Sequence, residues 1–202
     1  MKTIAVLTLC LLGVALAGPN SAVAQCTTGT FITESSGSML VGDIPGVSHI
    51  IVGQQFTVDC RSQFLSATFL LTVDPSWTFG SQSCLAQGDT IAAVLMDMDH
   101  NELARVERTL NFSTGTRAVT FDFSGQTYGV DPGDYVIAWE NVTKSYLIFG
   151  TYTDVRPGCL HVSRDGVWGE EWTTDAYFEV HWDAAGVPND EISWSALKAD
   201  YR

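Results

Sequence analysis

The sequence has little positive charge, few cysteines and no long apolar run beyond its N-terminal end. Its 202 residues include 10 lysines and arginines against 23 aspartates and glutamates. A chain this acidic repels phosphate backbones and anionic lipid, so we expect no nucleic-acid partner and no membrane-surface partner. After the N-terminal segment no apolar run reaches the about 20 residues that a membrane-spanning helix needs, so no membrane insertion is expected.

Motifs of the common catalytic centres are also missing. The sequence has no Gly-x-Ser-x-Gly, no His-Glu-x-x-His and no Cys-x-x-Cys, and its four histidines are scattered. We therefore expect a non-catalytic protein without a cofactor. Paired carboxylates for glycoside hydrolysis stay open as an alternative, because any acidic β-sandwich offers such pairs by chance.

The N-terminal segment has the pattern of a secretory signal peptide. Lys2 precedes an apolar run over residues 4–17, and two small-residue motifs offer cleavage points, Ala15-Leu16-Ala17 and Ala22-Val23-Ala24. We expect cleavage after Ala24 and a secreted protein, extracellular or periplasmic. Loss of Lys2 leaves nine basic residues against 23 acidic ones, a net charge of −14.

The cysteine content fits an oxidising compartment. Of the five cysteines, Cys10 lies in the signal peptide, which leaves Cys26, Cys60, Cys84 and Cys159. An even number in an exported chain predicts two disulfides, with three pairings possible.

Period-two alternation dominates the rest of the chain. Residues 119–123, 135–139 and 178–182 alternate apolar and polar side chains, as half-buried strands do. Residues 67–73 and 91–96 are apolar on both faces, which predicts central strands. Asp165-Gly166 between two short apolar runs predicts a two-residue hairpin.

This pattern predicts an all-β fold, an antiparallel two-sheet sandwich or jelly roll, in one domain over residues 25–186. Residues 187–202 form a C-terminal tail in which Trp194, Leu197 and Tyr201 recur at helical spacing, so a short helix is expected. A sorting or docking tail is the alternative.

Several short motifs resemble a widespread bacterial extracellular β-sandwich module. They are Gly53-Gln54-Gln55-Phe56-Thr57, the strand of residues 119–123, Gly133-Asp134-Tyr135 and residues 175–180. The resemblance covers about residues 50–183. It implies a sandwich similar in layout to carbohydrate-binding modules and brings no catalytic residues with it.

Residues 97–102 read Asp-Met-Asp-His-Asn-Glu and begin like a calcium loop. Asp97, Asp99 and Asn101 are therefore weak candidates for a structural calcium site. Glu102 replaces the glycine that a calcium loop needs, so a hairpin turn is the preferred interpretation.

Aromatic residues supply the candidate ligand site. Of the six tryptophans, Trp139 and Trp182 fall on apolar strand faces and are expected in the core. The tentative binding patch joins an aromatic set to neighbouring carboxylates that accept sugar hydroxyls: Trp168, Trp172, Tyr152, Tyr177 and His181.

Two functions remain. The first is a secreted non-catalytic protein that binds a glycan or another cell-surface polymer. The second is a structural or assembly component of the cell surface or extracellular matrix, with self-association through an open strand edge.

Overall fold

The computed structural model describes residues 27–32, 37–44, 46, 48–76, 78–79, 82–126, 128–141, 144–151, 158–171 and 174–183. These residues form sixteen strands and one short 3-10 helix, Ser124–Gln126. The strands are β1 Gly29–Ile32, β2 Gly37–Ile44, β3 Ser48–Val58, β4 Ser62–Val73, β5 Thr78–Phe79, β6 Gln82–Ser83, β7 Thr90–Met96, β8 Glu102–Thr109, β9 Gly115–Asp122, β10 Gly129–Val130, β11 Gly133–Glu140, β12 Ser145–Thr151, β13 Leu160–Arg164, β14 Val167–Glu171, β15 Asp175–Ala176 and β16 Phe178–Asp183.

The strands pack as a sandwich of two antiparallel sheets, which confirms the predicted fold class. In the first sheet β4 pairs with β16 and β9, and β1 extends it beyond β16. In the second sheet β3 pairs with β11 and β13, with β7 and β8 beyond β11 and β14 beyond β13. Strands β2 and β12 link β3 to β4.

The main core lies between the two sheets and is rich in aromatic residues. Phe69 on β4 stacks on Trp139 of β11 with ring centroids 4.0 Å apart. Phe56 on β3 stacks on Trp182 of β16 at 6.0 Å. Because Trp139 and Trp182 are 0% and 1% exposed, their predicted core positions are confirmed.

The strand patterns follow directly from this burial. In β9, Val119 and Phe121 are buried, and the alternating residues Thr120 and Asp122 are exposed. Strand β7 is buried at every position from Ile91 to Met96, as its two-sided apolar sequence predicts. The predicted C-terminal helix and the tail of residues 187–202 lie outside the described residues.

The second sheet also has a buried outer face. A smaller apolar cluster lies there, separate from the main core, and half-buried Ile51 and Trp168 pack against it. Its members are Ala92, Val94, Met96, Val136 and Ala138. These side chains alternate with the inward ones of β7 and β11, so the second sheet is covered on both sides. This face carries the candidate site.

Candidate functional site

The β13–β14 hairpin builds one side of the site. Asp165 and Gly166 form its turn with φ of 53° and 84°, the positive values that a tight type I′ hairpin turn requires. The turn sets the register, in which His161 lies opposite Glu170 and Ser163 lies opposite Trp168. His161 and Glu170 are therefore cross-strand neighbours.

The pleat places Cys159 and His161 on one face. They are two residues apart, at the start of β13, and each is 1% exposed. Leu160 between them belongs to the main core on the other face. The thiol and the imidazole thus lie on the outer side of the second sheet, with Trp168 and the smaller apolar cluster.

The turn between β7 and β8 adds a second imidazole. His100 lies in this turn with a positive φ of 63°. Its Nε2 lies 2.8 Å from Nδ1 of His161. Its ring stacks on the Trp168 indole at 4.3 Å, with only 5° between the planes. His100 therefore holds His161 and Trp168 in place.

Asp97 shapes that turn with its carboxylate. Oδ1 accepts hydrogen bonds from the backbone N–H groups of Asp99 and Asn101, and Oδ2 accepts one from the Asn101 amide. These bonds, first that of the Asn101 side chain, hold the pKa of Asp97 below its usual value. The observed role of the turn is to position His100. A calcium site at Asp97, Asp99 and Asn101 stays a prediction.

Three different donor groups converge on the outer face. The ligating atoms of Cys159, His161 and Glu170 all lie within 4.8 Å of one another. Cys159 Sγ is 3.4 Å from His161 Nε2. Within the part of the chain that the structure describes, this is the one group of three or more such side chains able to hold a metal ion. Its thiol, imidazole and carboxylate are ligands for a transition metal.

Burial favours the uncharged forms of the thiol and of both imidazoles. Desolvation, followed by the negative charges of Glu170 and Asp175, raises the pKa of Cys159 to about 11. Burial also lowers the pKa of His161, with a further contribution from His100, and burial lowers the pKa of His100. These shifts oppose the formation of a thiolate–imidazolium pair, which cysteine hydrolases form with a thiol of lowered pKa.

A groove runs along the same hairpin. It has a volume of about 280 Å³ and is lined by Val162, Arg164 and the whole of β14, residues 167–171. Val167 is 73% exposed, and Trp168 is half-buried. The groove thus combines apolar surface, one guanidinium and two carboxylates.

The described members of the predicted aromatic patch do not share one surface. Trp168 lies on the outer face of the second sheet, whereas His181 alternates with core residues Val180 and Trp182 and so lies on the outer face of the first sheet. Tyr177 is half-buried, and its N–H donates to the Phe149 carbonyl at 2.7 Å. Tyr152 and Trp172 lie outside the described residues.

The cysteines depart from the predicted two disulfides. Cys84 and Cys159 are both free and buried, so the prediction is wrong for these two. They sit in different surroundings, since Asp74 and Lys144 act on the Cys84 thiol whereas Glu170 and Asp175 act on Cys159. Cys60 is disulfide-bonded, and Cys26 lies outside the described residues.

Sequence reasoning missed Cys159, His161, Glu170 and His100 as one group. A usable signal was present, because Cys159-Leu160-His161 has the spacing of one strand face. The Asp165-Gly166 turn then places Glu170 opposite His161 by counting outward from its centre. No local pattern indicates His100, whose contact depends on how the β7–β8 turn folds over the sheet.

Comparisons with known proteins give no family. No family model matches the chain, and no curated protein matches it. Among the described residues no helix is long and apolar enough to cross a membrane.

Proposed function

We propose that this is an exported, non-catalytic binding protein that takes a glycan or another cell-surface polymer along the β13–β14 hairpin. The observation that carries the proposal is the groove of about 280 Å³ there, where Trp168 and Val167 lie beside charged side chains. Such a mixture of apolar surface and a few convergent polar groups is typical of ligand sites.

The groove chemistry suits a neutral polysaccharide. Carboxylates of Glu170 and Glu171 accept hydrogen bonds from sugar hydroxyls, and the Arg164 guanidinium donates to sugar oxygens. The chain has a net charge of −13, which disfavours an anionic polymer. The stack of His100 on Trp168 fixes the indole before binding, which lowers the entropy that binding costs.

Two further considerations support binding over catalysis. Burial raises the pKa of the Cys159 thiol, which disfavours the thiolate that a cysteine nucleophile needs. The sequence motifs that resemble bacterial extracellular sandwich modules are also similar in layout to carbohydrate-binding domains and imply no catalytic set.

A polysaccharide array on the protein without residues 1–24 tests the proposal. Arg164→Ala and Glu171→Gln change the groove and leave the Cys159–His161 pair untouched, so both variants are expected to weaken binding. The control is His181→Ala, on the outer face of the first sheet. Equal binding by all three variants would show that the polymer does not occupy this groove.

An assembly role is the second candidate, and the position of β14 favours it. Among the described strands β14 pairs only with β13, so it is an edge strand of the described sheet. An open edge with an exposed apolar residue such as Val167 accepts another strand. We expect this role to show as concentration-dependent self-association in light scattering, reduced by Val167→Lys. A monomer at all concentrations would exclude self-assembly of this kind.

A further inference from the structure

We propose that Cys159, His161 and Glu170 form a binding site for a divalent transition metal of the zinc class. The inference does not rest on polymer binding, although both sites use Glu170 on the β13–β14 hairpin. It starts from the convergence of a thiol sulfur, an imidazole nitrogen and a carboxylate oxygen within 4.8 Å. Mixed sulfur and nitrogen ligands select borderline metals such as zinc over calcium or magnesium.

The spacing fits tetrahedral coordination. Zinc–sulfur and zinc–nitrogen bonds of about 2.3 and 2.0–2.1 Å at a tetrahedral angle place the two ligand atoms about 3.5 Å apart. Cys159 Sγ and His161 Nε2 are 3.4 Å apart. The pair therefore needs almost no movement to share an ion, and Glu170 supplies the third ligand from the neighbouring strand.

Charge and protons balance in this site. On binding, the sulfur–hydrogen bond of Cys159 breaks, sulfur bonds to the metal and one proton leaves to solvent. The thiolate and the Glu170 carboxylate together then neutralise the two positive charges of the ion. His161 contributes the lone pair of a neutral Nε2, and burial favours that neutral form.

The surrounding side chains orient the ligands. With Nε2 on the metal, His161 carries its proton on Nδ1 and donates it to Nε2 of His100, 2.8 Å away. Trp168 holds the His100 ring from the far side. Gln55 Oε1 accepts the Cys159 backbone N–H at 3.2 Å. Such outer contacts fix the tautomer and ring orientation of metal-binding histidines.

Exposure gives the metal a route to the site. Cys159 and His161 are buried, whereas Glu170 is exposed. An ion therefore reaches the site from the solvent side, and the Glu170 carboxylate closes over it. The fourth tetrahedral position is left to a water molecule.

The other free cysteine supplies a matched control. Cys84 is also buried, but among the described residues it belongs to no cluster of metal-ligating side chains. If burial were all that distinguished Cys159, both buried thiols would have the same affinity for a metal ion. The proposal requires them to differ.

The test is a zinc titration of the protein without residues 1–24, kept reduced and stripped by a chelator, in competition with a chromophoric chelator. We expect one zinc per chain at this site. Cys159→Ser and His161→Gln should abolish competitive binding, and His100→Ala should weaken it by about 10- to 100-fold, the usual effect of an outer-contact mutation. Cobalt in place of zinc should give a thiolate-to-metal absorption band that Cys159→Ser removes.

Three control variants make the result decisive. Cys84→Ser, Arg164→Ala and Glu171→Gln should keep the zinc affinity, which separates this site from the polymer groove. Zinc binding that survives Cys159→Ser, or that Cys84→Ser removes equally, would overturn the proposal. Should Cys159→Ser fail to fold, Glu170→Gln takes its place, because Glu170 is exposed. Zinc should raise the melting temperature of the parent protein and raise that of Glu170→Gln much less; equal rises would also overturn it.

Discussion

The two outer faces of the sandwich differ in what they carry. The outer face of the first sheet holds threonine pairs, such as Thr68–Thr120 and Thr72–Thr116, each with hydroxyl oxygens 2.8 Å apart. The outer face of the second sheet holds small apolar side chains beneath Trp168, together with Cys159 and His161. A sheet needs only one buried face to form a sandwich, so the second covered face requires a separate explanation.

We attribute the covered outer face of the second sheet to the function of the protein. The apolar floor removes water from beside the Cys159–His161 pair, and the β7–β8 turn adds His100 from above. On the β8 side of the same face, Arg105 donates to Glu102 and Glu140 at 2.8 and 2.7 Å, so ionic contacts also bridge this face. The first sheet's outer face instead carries threonine pairs whose β9 members, Thr116 and Thr120, are exposed, and we assign it no ligand.

The largest difference between the faces should come from Trp168→Ala. The indole packs on the smaller apolar cluster and stacks on His100, so its loss exposes the floor of the second face. We expect a loss of about 2–3 kcal/mol in the free energy of unfolding, below the usual cost for a fully buried tryptophan. Urea denaturation measures it. A cost within about 0.5 kcal/mol, the usual size for a surface change, would mean that the face is not packed as described.

The next largest loss of stability is expected for Gly53→Ala. A Cβ at Gly53 would lie 2.5 Å from Cγ1 of Val136 and 3.1 Å from Cβ of Ala138, on the floor of the second face. Overpacking of this kind costs about 1–2 kcal/mol. Gly125→Ala is the matched control, because nothing lies within 4 Å of the added carbon there. Equal denaturation midpoints for the two variants would contradict tight packing around Gly53.

Acid should lower the free energy of unfolding of the metal-free protein, and His100 and His161 should cause part of this loss. Burial is the main cause that lowers the pKa of each below the ordinary 6.5. The unfolded chain therefore takes up protons on these imidazoles before the folded chain does. The contribution of these two imidazoles to the free energy of unfolding is fully present above pH 6.5 and is lost as the pH drops below it.

The double variant His100→Gln/His161→Gln should flatten this fall in melting temperature. His181→Gln, on the other outer face, should retain it. Melting curves recorded with a chelator present make the comparison, and an unchanged slope in the double variant would place the pH dependence elsewhere.

The smallest effect is expected on the first sheet. Thr120→Val removes the hydroxyl pair with Thr68 but keeps a β-branched side chain at an exposed position. Cross-strand pairs of this kind contribute roughly 0.2–1 kcal/mol, so the loss should be smaller than for Trp168→Ala. Equal losses in urea denaturation would remove the contrast between the two faces.

Sequence patterns predicted the fold better than the site. Alternation in residues 119–123 and 178–182 identified inward-facing side chains, because the strand period depends only on local geometry. The Asp165-Gly166 hairpin was predicted for the same reason and is confirmed. The aromatic patch grouped Trp168 with His181 from composition, and composition says nothing about which sheet a strand joins.

The proposed metal ligands could be predicted from the sequence only in part. The hairpin register brings Glu170 to His161 and is readable from the turn. The burial of Cys159 and His161 on an outer face cannot be predicted from the sequence in this way, because an outer face is normally solvated. It depends on Trp168 and His100 covering that face, a contact across more than 60 residues of chain. The free state of Cys159 also departs from the two disulfides that the even number of cysteines predicted.

Anomalous diffraction from crystals grown with zinc tests the central claim most directly. The outer face of the second sheet should show one zinc bonded to Cys159 Sγ, His161 Nε2 and a Glu170 oxygen, at about 2.0–2.3 Å each. Ordered zinc elsewhere on the molecule, with these three side chains free of metal, would contradict the account.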